Sequence, residues 1–377
     1  MRVLLTGGGT AGHINPAIAI ADIIKRNAPA SEIAFVGTPE GMENDLVREA
    51  GYPLYHVSVK GISRKLTPSN FRALWLAAVS PIRAKKILNE FQPDIVIGTG
   101  GYVSWPILRA AASQGVKTVL HESNSSPGLA FMKLAPHMNG LWLNFKETEK
   151  LLPRGCVTPV HTGNPLRKRF ASVSKEIARR ELGLSDEDVF LLSFGGSLGA
   201  EALNKAMLRL MQKAGEIPHL RCIHASGERY YPQIRAFFSD TPRAKLLPYI
   251  RNMATYMSAA DILVCRAGAM TISEAALCGK CVIFIPSPNV TANHQYKNAS
   301  ILANAGAALL VEENNLPTNK FENLINSLVS GKERRKEYEK KIKSFAKTDA
   351  ERIIWREIQN LAQKTTAEFQ KKKNKNC

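Results

Sequence analysis

The chain has 377 residues, of which 45% are hydrophobic, and carries a formal net charge of +19 at pH 7. This length exceeds the roughly 250–300 residues at which a single core stops growing, so we expect two domains. No apolar run approaches the roughly 18 residues of a membrane-spanning helix, and the first run breaks at Gly7, too early for a secretory signal. Six scattered cysteines fit a reducing compartment. These features predict a cytoplasmic protein with an anionic partner: nucleic acid, an acidic membrane surface or phosphorylated substrates.

Short apolar runs alternate with amphipathic stretches in the first half of the chain, which is the spacing of βαβ units and predicts a parallel sheet. The predicted strands cover residues 2–6, 32–36, 94–97 and 117–121, and the predicted helices cover 15–26, 42–50 and 72–90. The pattern restarts after Pro165. A helix is predicted there at 175–182, with strands at 189–194, 220–225, 244–247, 262–265 and 282–285.

The predicted fold class is therefore α/β, with two doubly wound, Rossmann-like domains. We place the first domain at 1–165 and the second at 166–347, because Pro165 stops regular structure. Residues 348–369 form an amphipathic helix that can return to pack on the first domain. Residues 370–377 are a basic tail that we expect to be disordered and solvated.

A glycine turn at residues 7–12 follows the first predicted strand. Such a turn lets a phosphate approach the backbone and the start of the next helix. Its spacing also satisfies the dinucleotide pattern, so NAD is an alternative ligand, although Glu40 comes late for the ribose. His13 follows the turn, where the positive end of the helix favours a neutral ring that can act as a base. His13 can equally cap the loop or bind phosphate.

A second glycine turn, at residues 98–102, follows the strand 94–97 of the same domain. Parallel strands bring these turns to one crevice edge, where the N–H groups of Gly100 and Gly101 can hold a diphosphate. Asn124 follows the next strand and can bond a sugar or peptide group. Glu122 is a competing candidate base, although its carboxylate can equally orient the neighbouring turn.

In the second half, the turn at residues 195–199 places Ser197 at the start of a helix, where its hydroxyl and N–H can bind a phosphate. Residues 265–274 repeat this device. Glu274 lies about one turn after Met270 on the same side of the helix, where a carboxylate can accept from both hydroxyls of a ribose. A solvated surface charge is the alternative interpretation of Glu274.

Two other patterns are interpreted as structural. Cys278 and Cys281 lack the second cysteine pair of a zinc site and suit a packing turn. The acidic run at 186–188 precedes a strand, which places it at the edge of the sheet opposite the crevice, in a solvated turn.

A cationic segment interleaved with aromatic residues spans 60–86 and suits docking on an anionic leaflet. The residues proposed for membrane contact are Arg64, Lys65, Phe71, Arg72 and Trp75. Part of the segment, including Ile82, can instead face the core. No nucleic-acid-binding module is recognised, so nucleic acid is not an expected partner.

Over nearly its whole length the chain resembles the MurG family, the peptidoglycan N-acetylglucosaminyltransferases of glycosyltransferase family 28. The resemblance rests on residues 8–13, 98–102, 121–124, 163–167, 195–200, 265–274 and 294–295, in the family's order. It implies a GT-B fold, with two facing Rossmann-like domains and an interdomain cleft. It also implies inverting transfer of N-acetylglucosamine from UDP-GlcNAc to the C4 hydroxyl of MurNAc in lipid I, giving lipid II.

The resemblance assigns the donor to Thr10, Ala11, Gly12, Asn124, Arg167, Ser197, Ile250, Ala269, Met270, Thr271, Ile272, Ser273, Glu274 and Gln295. Ile250 would meet the uracil through its backbone, Glu274 the ribose and Gln295 the sugar hydroxyls. Gly8, Gly9, Gly100 and Gly101 would hold the acceptor diphosphate, with His13 as the candidate base.

No cofactor or essential metal is expected from the resemblance. The implied partners are UDP-GlcNAc, lipid I, an anionic membrane surface at the cytoplasmic face of the bacterial plasma membrane, and other proteins of cell-wall synthesis. Ser123, Leu198 and His294 depart from residues that are frequent in the family, where glutamine is common. The alternatives to this transferase are an NAD-dependent oxidoreductase that uses the first glycine turn and a non-enzymatic adaptor that relies on charge.

Overall fold

The computed structural model describes residues 1–59, 68–196 and 199–373, with backbone only at 68–79, 171 and 364–373. Its chain divides into two compact units. Unit 1 is Met1–Leu166 together with the segment from Thr348 onward, and unit 2 is Arg167–Lys347. The division falls after Leu166, next to the boundary expected at Pro165.

Unit 1 contains a seven-stranded parallel sheet in the order β3-β2-β1-β4-β5-β6-β7. Its strands are β1 (Arg2–Thr6), β2 (Glu32–Gly37), β3 (Leu54–His56), β4 (Ile95–Gly98), β5 (Lys117–Glu122), β6 (Gly140–Leu143) and β7 (Val160–His161). Its first helices are α1 (Ala11–Asn27), α2 (Glu43–Glu49), α3 (Pro68–Phe91), α4 (Ser104–Ser113) and α5 (Leu129–Leu134). The strands predicted from residues 2–6, 32–36, 94–97 and 117–121 are all present, each within one residue at either end.

The sheet of unit 1 is buried on both faces, as expected for βαβ units. One face packs against α1, and the other packs against α3 and α4. The first helix begins at Ala11 rather than at the predicted residue 15, because Thr10 is extended and its carbonyl accepts from the N–H groups of His13 and Ile14. Pro16 therefore lies inside α1, and His13 lies in its first turn.

The last helix described in the chain, α15 (Ala350–Lys373), belongs to unit 1. Ile354, Ile358 and Leu361 are buried in the same cluster as Ile14 and Ile18 of α1. The helix continues through residues 370–373, at the start of the segment expected to be a tail. Residues 374–377 lie outside the described residues.

Unit 2 contains a six-stranded parallel sheet in the order β10-β9-β8-β11-β12-β13. Its strands are β8 (Val189–Phe194), β9 (Leu220–Ala225), β10 (Ala244–Leu247), β11 (Ile262–Cys265), β12 (Cys281–Phe284) and β13 (Leu309–Leu310). Its helices are α6 (Arg169–Ser172), α7 (Lys175–Glu181), α8 (Glu201–Gln212), α9 (Tyr231–Arg235), α10 (Met253–Ala259), α11 (Ala269–Cys278), α12 (His294–Asn304), α13 (Asn319–Ser330) and α14 (Lys332–Lys343).

Within the described residues, no helix combines the length and apolarity that crossing a membrane requires.

Candidate functional site

Three turns of unit 1 meet at the carboxyl edge of its sheet, because β1, β4 and β5 are neighbours. The turn after β1 contains Gly8, and the turn after β4 contains Gly101. A Cβ added at Gly101 would collide with the backbone carbonyl of Gly8, so the two turns pack backbone against backbone. The positive φ of +81° at Gly101 further favours glycine. The two turns predicted to share a crevice edge are therefore brought together.

The half-buried side chain of His13 is held by the second of these turns. Its Nδ1 lies 3.1 Å from the carbonyl oxygen of Thr99. A carbonyl accepts and cannot donate, so Nδ1 is the donor in this bond, and in the neutral ring Nε2 is the basic nitrogen. The Thr99 hydroxyl donates to the carbonyl of His13 at 2.6 Å, and a Cβ at Gly100 would lie 2.5 Å from the His13 Nδ1. The orientation and tautomer suit a general base.

Glu43, in the first turn of α2, is a residue that sequence reasoning missed in favour of Glu40. It is fully buried, and its Oε1 accepts from the N–H and the hydroxyl of Thr38, both at 2.7 Å. Its Oε2 accepts from the N–H of Gly9 at 3.3 Å. Gly37 and Gly41 precede Glu43 closely in the sequence, and both lie against its side chain. These two glycines are the one signal in the sequence that could have indicated a buried role for Glu43.

The position of Glu43 also bears on the NAD alternative. A dinucleotide would place its ribose and pyrophosphate between the turn after β1 and the end of β2. Here the carboxylate of Glu43 occupies hydrogen-bond donors of both segments, Gly9 and Thr38. The N–H of Gly9, a residue expected to hold the acceptor diphosphate, therefore donates to a side chain of the protein itself.

Glu122, the competing candidate base, organises the turn after β5. Its Oε1 accepts from the backbone and side-chain amides of Asn124 at 2.9 and 3.0 Å, and its Oε2 accepts from the N–H of Gly128 at 3.2 Å. Burial raises the pKa of Glu122, against the opposing effect of these amide donors. The geometry favours the loop-orienting role over that of a base. It also fixes Asn124, whose carbonyl accepts from the Thr148 hydroxyl at 3.0 Å.

In unit 2, the turn after β8 packs tightly against its surroundings. A Cβ at Gly195 would lie 2.6 Å from the Ala200 backbone nitrogen, and one at Gly199 would lie 2.8 Å from the Tyr230 ring. The turn leads into α8, which begins at Glu201, four residues after the helix start predicted at Ser197. Ser197 and Leu198 lie outside the described residues.

Glu274 lies in α11, which begins at Ala269 immediately after the buried strand β11. The residues predicted to contact the donor through this helix, Ala269 to Glu274, therefore cover its first two turns. Burial raises the pKa of Glu274 to about 8, against the opposing positive charge of Arg167. The structure thus brings the exposed Arg167, predicted from a distant motif, within electrostatic range of Glu274.

The other predicted donor contacts in unit 2 lie after β10 and at the start of α12. Ile250 is buried, and its neighbour Tyr249 is 48% exposed. The side-chain oxygen of Gln295 accepts from the Ser287 N–H at 2.9 Å, which leaves its amide N–H groups as the end that can donate to a sugar. The Nδ1 of His294 donates to the Thr291 carbonyl at 2.9 Å.

An ion pair that sequence reasoning missed supports the start of α11. Arg266 pairs with Glu313, and its Nη1 donates to the carbonyl of Ile285 at 3.1 Å. This arginine therefore links the end of β11 to the segment that follows β12. Its position inside the matched stretch 265–274 was visible in the sequence, but its distant acidic partner was not.

The patterns interpreted as structural have structural surroundings. Asp188 lies before β8, but it is buried rather than solvated, and its Oδ1 pairs with Arg221 at 3.4 Å and Arg243 at 3.3 Å. Cys278 ends α11, and Cys281 is buried in β12.

Of the residues proposed for membrane contact, Arg64 and Lys65 lie outside the described residues. Phe71, Arg72 and Trp75 lie in α3, where only the backbone is described. Ile82, which the alternative interpretation turned toward the core, is 71% exposed. The exposed residues Arg83, Lys85 and Lys86 adjoin it in the same helix.

Two Rossmann-like units, each with glycine turns at the carboxyl edge of a parallel sheet, are the architecture expected for a two-domain glycosyltransferase, and the family models assign the chain to that class. Residues 3–139 match the glycosyltransferase family 28 N-terminal domain, and residues 190–354 match the glycosyltransferase family 28 C-terminal domain.

Full-length relatives carry the same enzyme name. A protein of Acetivibrio thermocellus named "UDP-N-acetylglucosamine--N-acetylmuramyl-(pentapeptide) pyrophosphoryl-undecaprenol N-acetylglucosamine transferase" is 38% identical over 369 residues, covering 97% of this chain and 100% of that protein. A protein of Clostridioides difficile strain 630 with the same name is 36% identical over 374 residues, covering 97% and 91%. The chain therefore belongs to glycosyltransferase family 28, in the group that carries this name.

Solved structures agree on the fold. The crystal structure of Acinetobacter baumannii MurG has a TM-score of 0.72 and 27% sequence identity, covering 95% of this chain and 99% of that one. A UDP-GlcNAc 2-epimerase from Neisseria meningitidis, solved with UDP-GlcNAc bound, has a TM-score of 0.65 at 14% identity and is similar in fold alone. The relatives and structures give no support to the oxidoreductase alternative.

Proposed function

We propose that the chain is an inverting N-acetylglucosaminyltransferase that moves GlcNAc from UDP-GlcNAc to the C4 hydroxyl of MurNAc in lipid I and so forms lipid II. The observation that carries the proposal is a pair of glycine-turn sites, one in each unit, in a chain whose full-length relatives are named for this transfer. The two sites have different chemistry, which suits two different phosphorylated ligands.

The donor belongs to unit 2 in this proposal. Glu274 takes the ribose hydroxyls, since a carboxylate one turn into a helix lies beside any phosphate held at the start of that helix. The positive end of α11 and the guanidinium of Arg167 favour the negative charge of the diphosphate. Gln295 donates its amide N–H groups to the sugar, Ile250 meets the uracil through its backbone, and Ser197 binds phosphate.

The resemblance to family 28 also assigns Thr10, Ala11 and Gly12 to the donor. Asn124 adds a fourth residue of unit 1, and the Glu122 carboxylate that bonds its side-chain amide fixes the orientation of this contact.

The acceptor belongs to unit 1. Gly100 and Gly101 hold its diphosphate, together with Gly8. His13 takes the proton of the C4 hydroxyl on Nε2, because Nδ1 is already committed to Thr99.

The reaction is a single displacement. The C4 oxygen forms its bond to the anomeric carbon of GlcNAc as the bond from that carbon to the UDP oxygen breaks. The electron pair leaves with UDP, whose developing charge the donor site stabilises. The configuration at the anomeric carbon inverts. We propose that no metal is essential, because the helix start and Arg167 supply the positive charge.

We also propose that the protein binds the cytoplasmic face of the plasma membrane as a peripheral protein. The exposed Ile82 beside Arg83, Lys85 and Lys86 supports this proposal, because an apolar side chain among cations suits an anionic leaflet. A membrane surface would also present the lipid-linked acceptor.

Product analysis tests the proposed function. Purified protein is incubated with UDP-GlcNAc and a short-chain lipid I analogue, and UDP release and the mass of the lipid product are followed together. We expect one UDP for each disaccharide-lipid formed. No UDP release, or release of UDP with free GlcNAc alone, would overturn the proposal. UDP-glucose in place of UDP-GlcNAc serves as the donor control.

A further inference from the structure

Glu43 is a buried carboxylate for which the proposed reaction has no use. Its side chain lies in a pocket built from glycine backbones. A Cβ at Gly8 would lie 2.8 Å from its Oε1, and one at Gly37 or Gly41 would collide with its side chain. The site therefore requires glycine at three separate places around one carboxylate.

The carboxylate is satisfied by donors from two segments. Two come from Thr38 at the end of β2, and the third is the N–H of Gly9 in the turn after β1. A buried charge is costly unless it is hydrogen-bonded, so the turn is held where it can keep this bond.

The turn at residues 7–12, which Glu43 holds, packs directly against the turn at residues 98–102, which contacts His13. The carbonyl of Gly8 lies against Gly101, and a Cβ at Gly9 would lie 3.2 Å from the Tyr102 ring. Gly100, beside Gly101, lies against the His13 ring. A shift at Gly9 is therefore transmitted to the groups assigned to the acceptor.

We propose that Glu43 is a positioning residue for the acceptor site. It acts through the Gly9 N–H to fix the register between the two glycine turns of unit 1. This inference rests on the proposed function for its kinetic part, because it deepens the assignment of these turns to the acceptor. Its structural part, that Glu43 orders the turns, stands apart from any activity.

Glu43→Gln is the informative variant. The side-chain oxygen of glutamine can still accept from Thr38, while its NH₂ group then faces the Gly9 N–H, donor against donor. Thr38→Val is the matched control, because it removes the hydroxyl bond to Oε1 and leaves the Gly9 bond in place. Glu43→Asp keeps the charge on a shorter side chain and provides a conservative comparison if Glu43→Gln does not fold.

The two readouts are steady-state kinetics and amide hydrogen exchange, each measured at a temperature equally far below the thermal midpoint of each variant. For Glu43→Gln we expect kcat/KM for the lipid acceptor to fall roughly tenfold or more, with a smaller rise in the donor KM, because Thr10, Ala11 and Gly12 of the same turn are assigned to the donor. We expect faster amide hydrogen exchange at residues 7–13 and 98–104 than in Thr38→Val. Glu43→Asp should lie between wild type and Glu43→Gln.

The inference is overturned if Glu43→Gln and Thr38→Val have the same exchange in both turns, or if the donor KM rises as much as the acceptor KM. An inactive wild-type protein would instead overturn the proposed function. The hydrogen-exchange comparison would still decide whether Glu43 orders the turns.

Discussion

His13 and Thr99 hold each other by two reciprocal hydrogen bonds. The imidazole Nδ1 donates to the Thr99 carbonyl at 3.1 Å, and the Thr99 hydroxyl donates to the His13 carbonyl at 2.6 Å. One bond sets the orientation of the ring and the other sets the backbone that carries it. Because Thr99 begins the turn that contains Gly100 and Gly101, the candidate base is fixed directly to the turn proposed to hold the acceptor diphosphate.

The first prediction concerns this pair. His13→Ala should lower kcat by about 100-fold to 10,000-fold, because a general base contributes on that scale, while the KM for UDP-GlcNAc changes little. Steady-state kinetics with both substrates varied measures this split. Thr99→Val keeps the carbonyl and is the comparison, with a smaller loss expected. Near-normal turnover in His13→Ala would remove it as the base.

The second prediction concerns the ribose contact. Glu274→Ala should weaken UDP binding by about 10-fold to 100-fold, the scale of losing the two hydrogen bonds to the ribose hydroxyls. Titration calorimetry with UDP alone measures it without the acceptor. Glu333→Ala, which removes a carboxylate exposed on α14, is the control and should bind as wild type. Unchanged UDP affinity in Glu274→Ala would refute the ribose assignment.

The third prediction is a pH dependence from the same carboxyl. Its pKa in the folded protein is about 8, above the 4.5 of an unperturbed glutamate. Between these values the folded state binds one proton more than the unfolded state, so the free energy of unfolding decreases as pH rises through this window. Glu274→Gln lacks this effect. Its thermal midpoint relative to wild type should therefore rise between about pH 5 and about pH 9, and a constant difference would contradict the prediction.

The fourth prediction concerns a histidine that lowers the stability of the protein as pH falls, whereas Glu274 lowers it as pH rises. Burial lowers the pKa of His224, in β9, from 6.5 to about 4. As pH falls between these values the unfolded state takes up a proton that the folded state does not, which removes about 3 kcal/mol of stability. His224→Gln keeps a donor for the Asn204 oxygen, 3.0 Å from the His224 Nε2, and should lose less stability on acidification, measured by urea unfolding. His219→Asn, at an exposed histidine of the same unit, is the control and should lose as much stability on acidification as wild type.

The fifth prediction addresses the membrane. Lys85→Glu with Lys86→Glu should weaken binding to phosphatidylglycerol vesicles by about tenfold or more, since each cation near an anionic surface contributes about 1 kcal/mol. Ile82→Glu should weaken it further. Vesicle co-sedimentation against phosphatidylcholine measures the effect. The paired control is Lys320→Glu with Lys340→Glu, exposed in unit 2; equal losses in both pairs would point to general charge rather than to α3.

The central strands could be predicted because each is mostly apolar and largely buried on both faces. β1, β8 and β9 begin and end where the sequence indicates. The edge strands β3, β7 and β13 were missed, because two or three residues are too few to establish a period, and the internal strand β6 was missed as well.

The glycine turns and Glu274 were recognisable because each follows a buried strand directly. Glu43 was not, because its role depends on Gly9, 34 residues earlier in the chain. The role of Arg266 could not be predicted for the same reason, since its partner Glu313 is 47 residues away in the chain. Contacts of this kind follow from the folded backbone and leave no local pattern.

The chain leaves unit 1 after Leu166 and returns to it at Thr348. During synthesis, all of unit 2 therefore emerges before the helix that completes the α1 side of the first core, with Ile354, Ile358 and Leu361, has been made. The growing chain must carry an uncovered apolar face on α1 for the time needed to add about 180 residues, roughly 10–40 seconds at bacterial rates. A fragment that ends at Leu166 would keep that face uncovered. Preparing unit 1 alone therefore requires α15 to be fused to it.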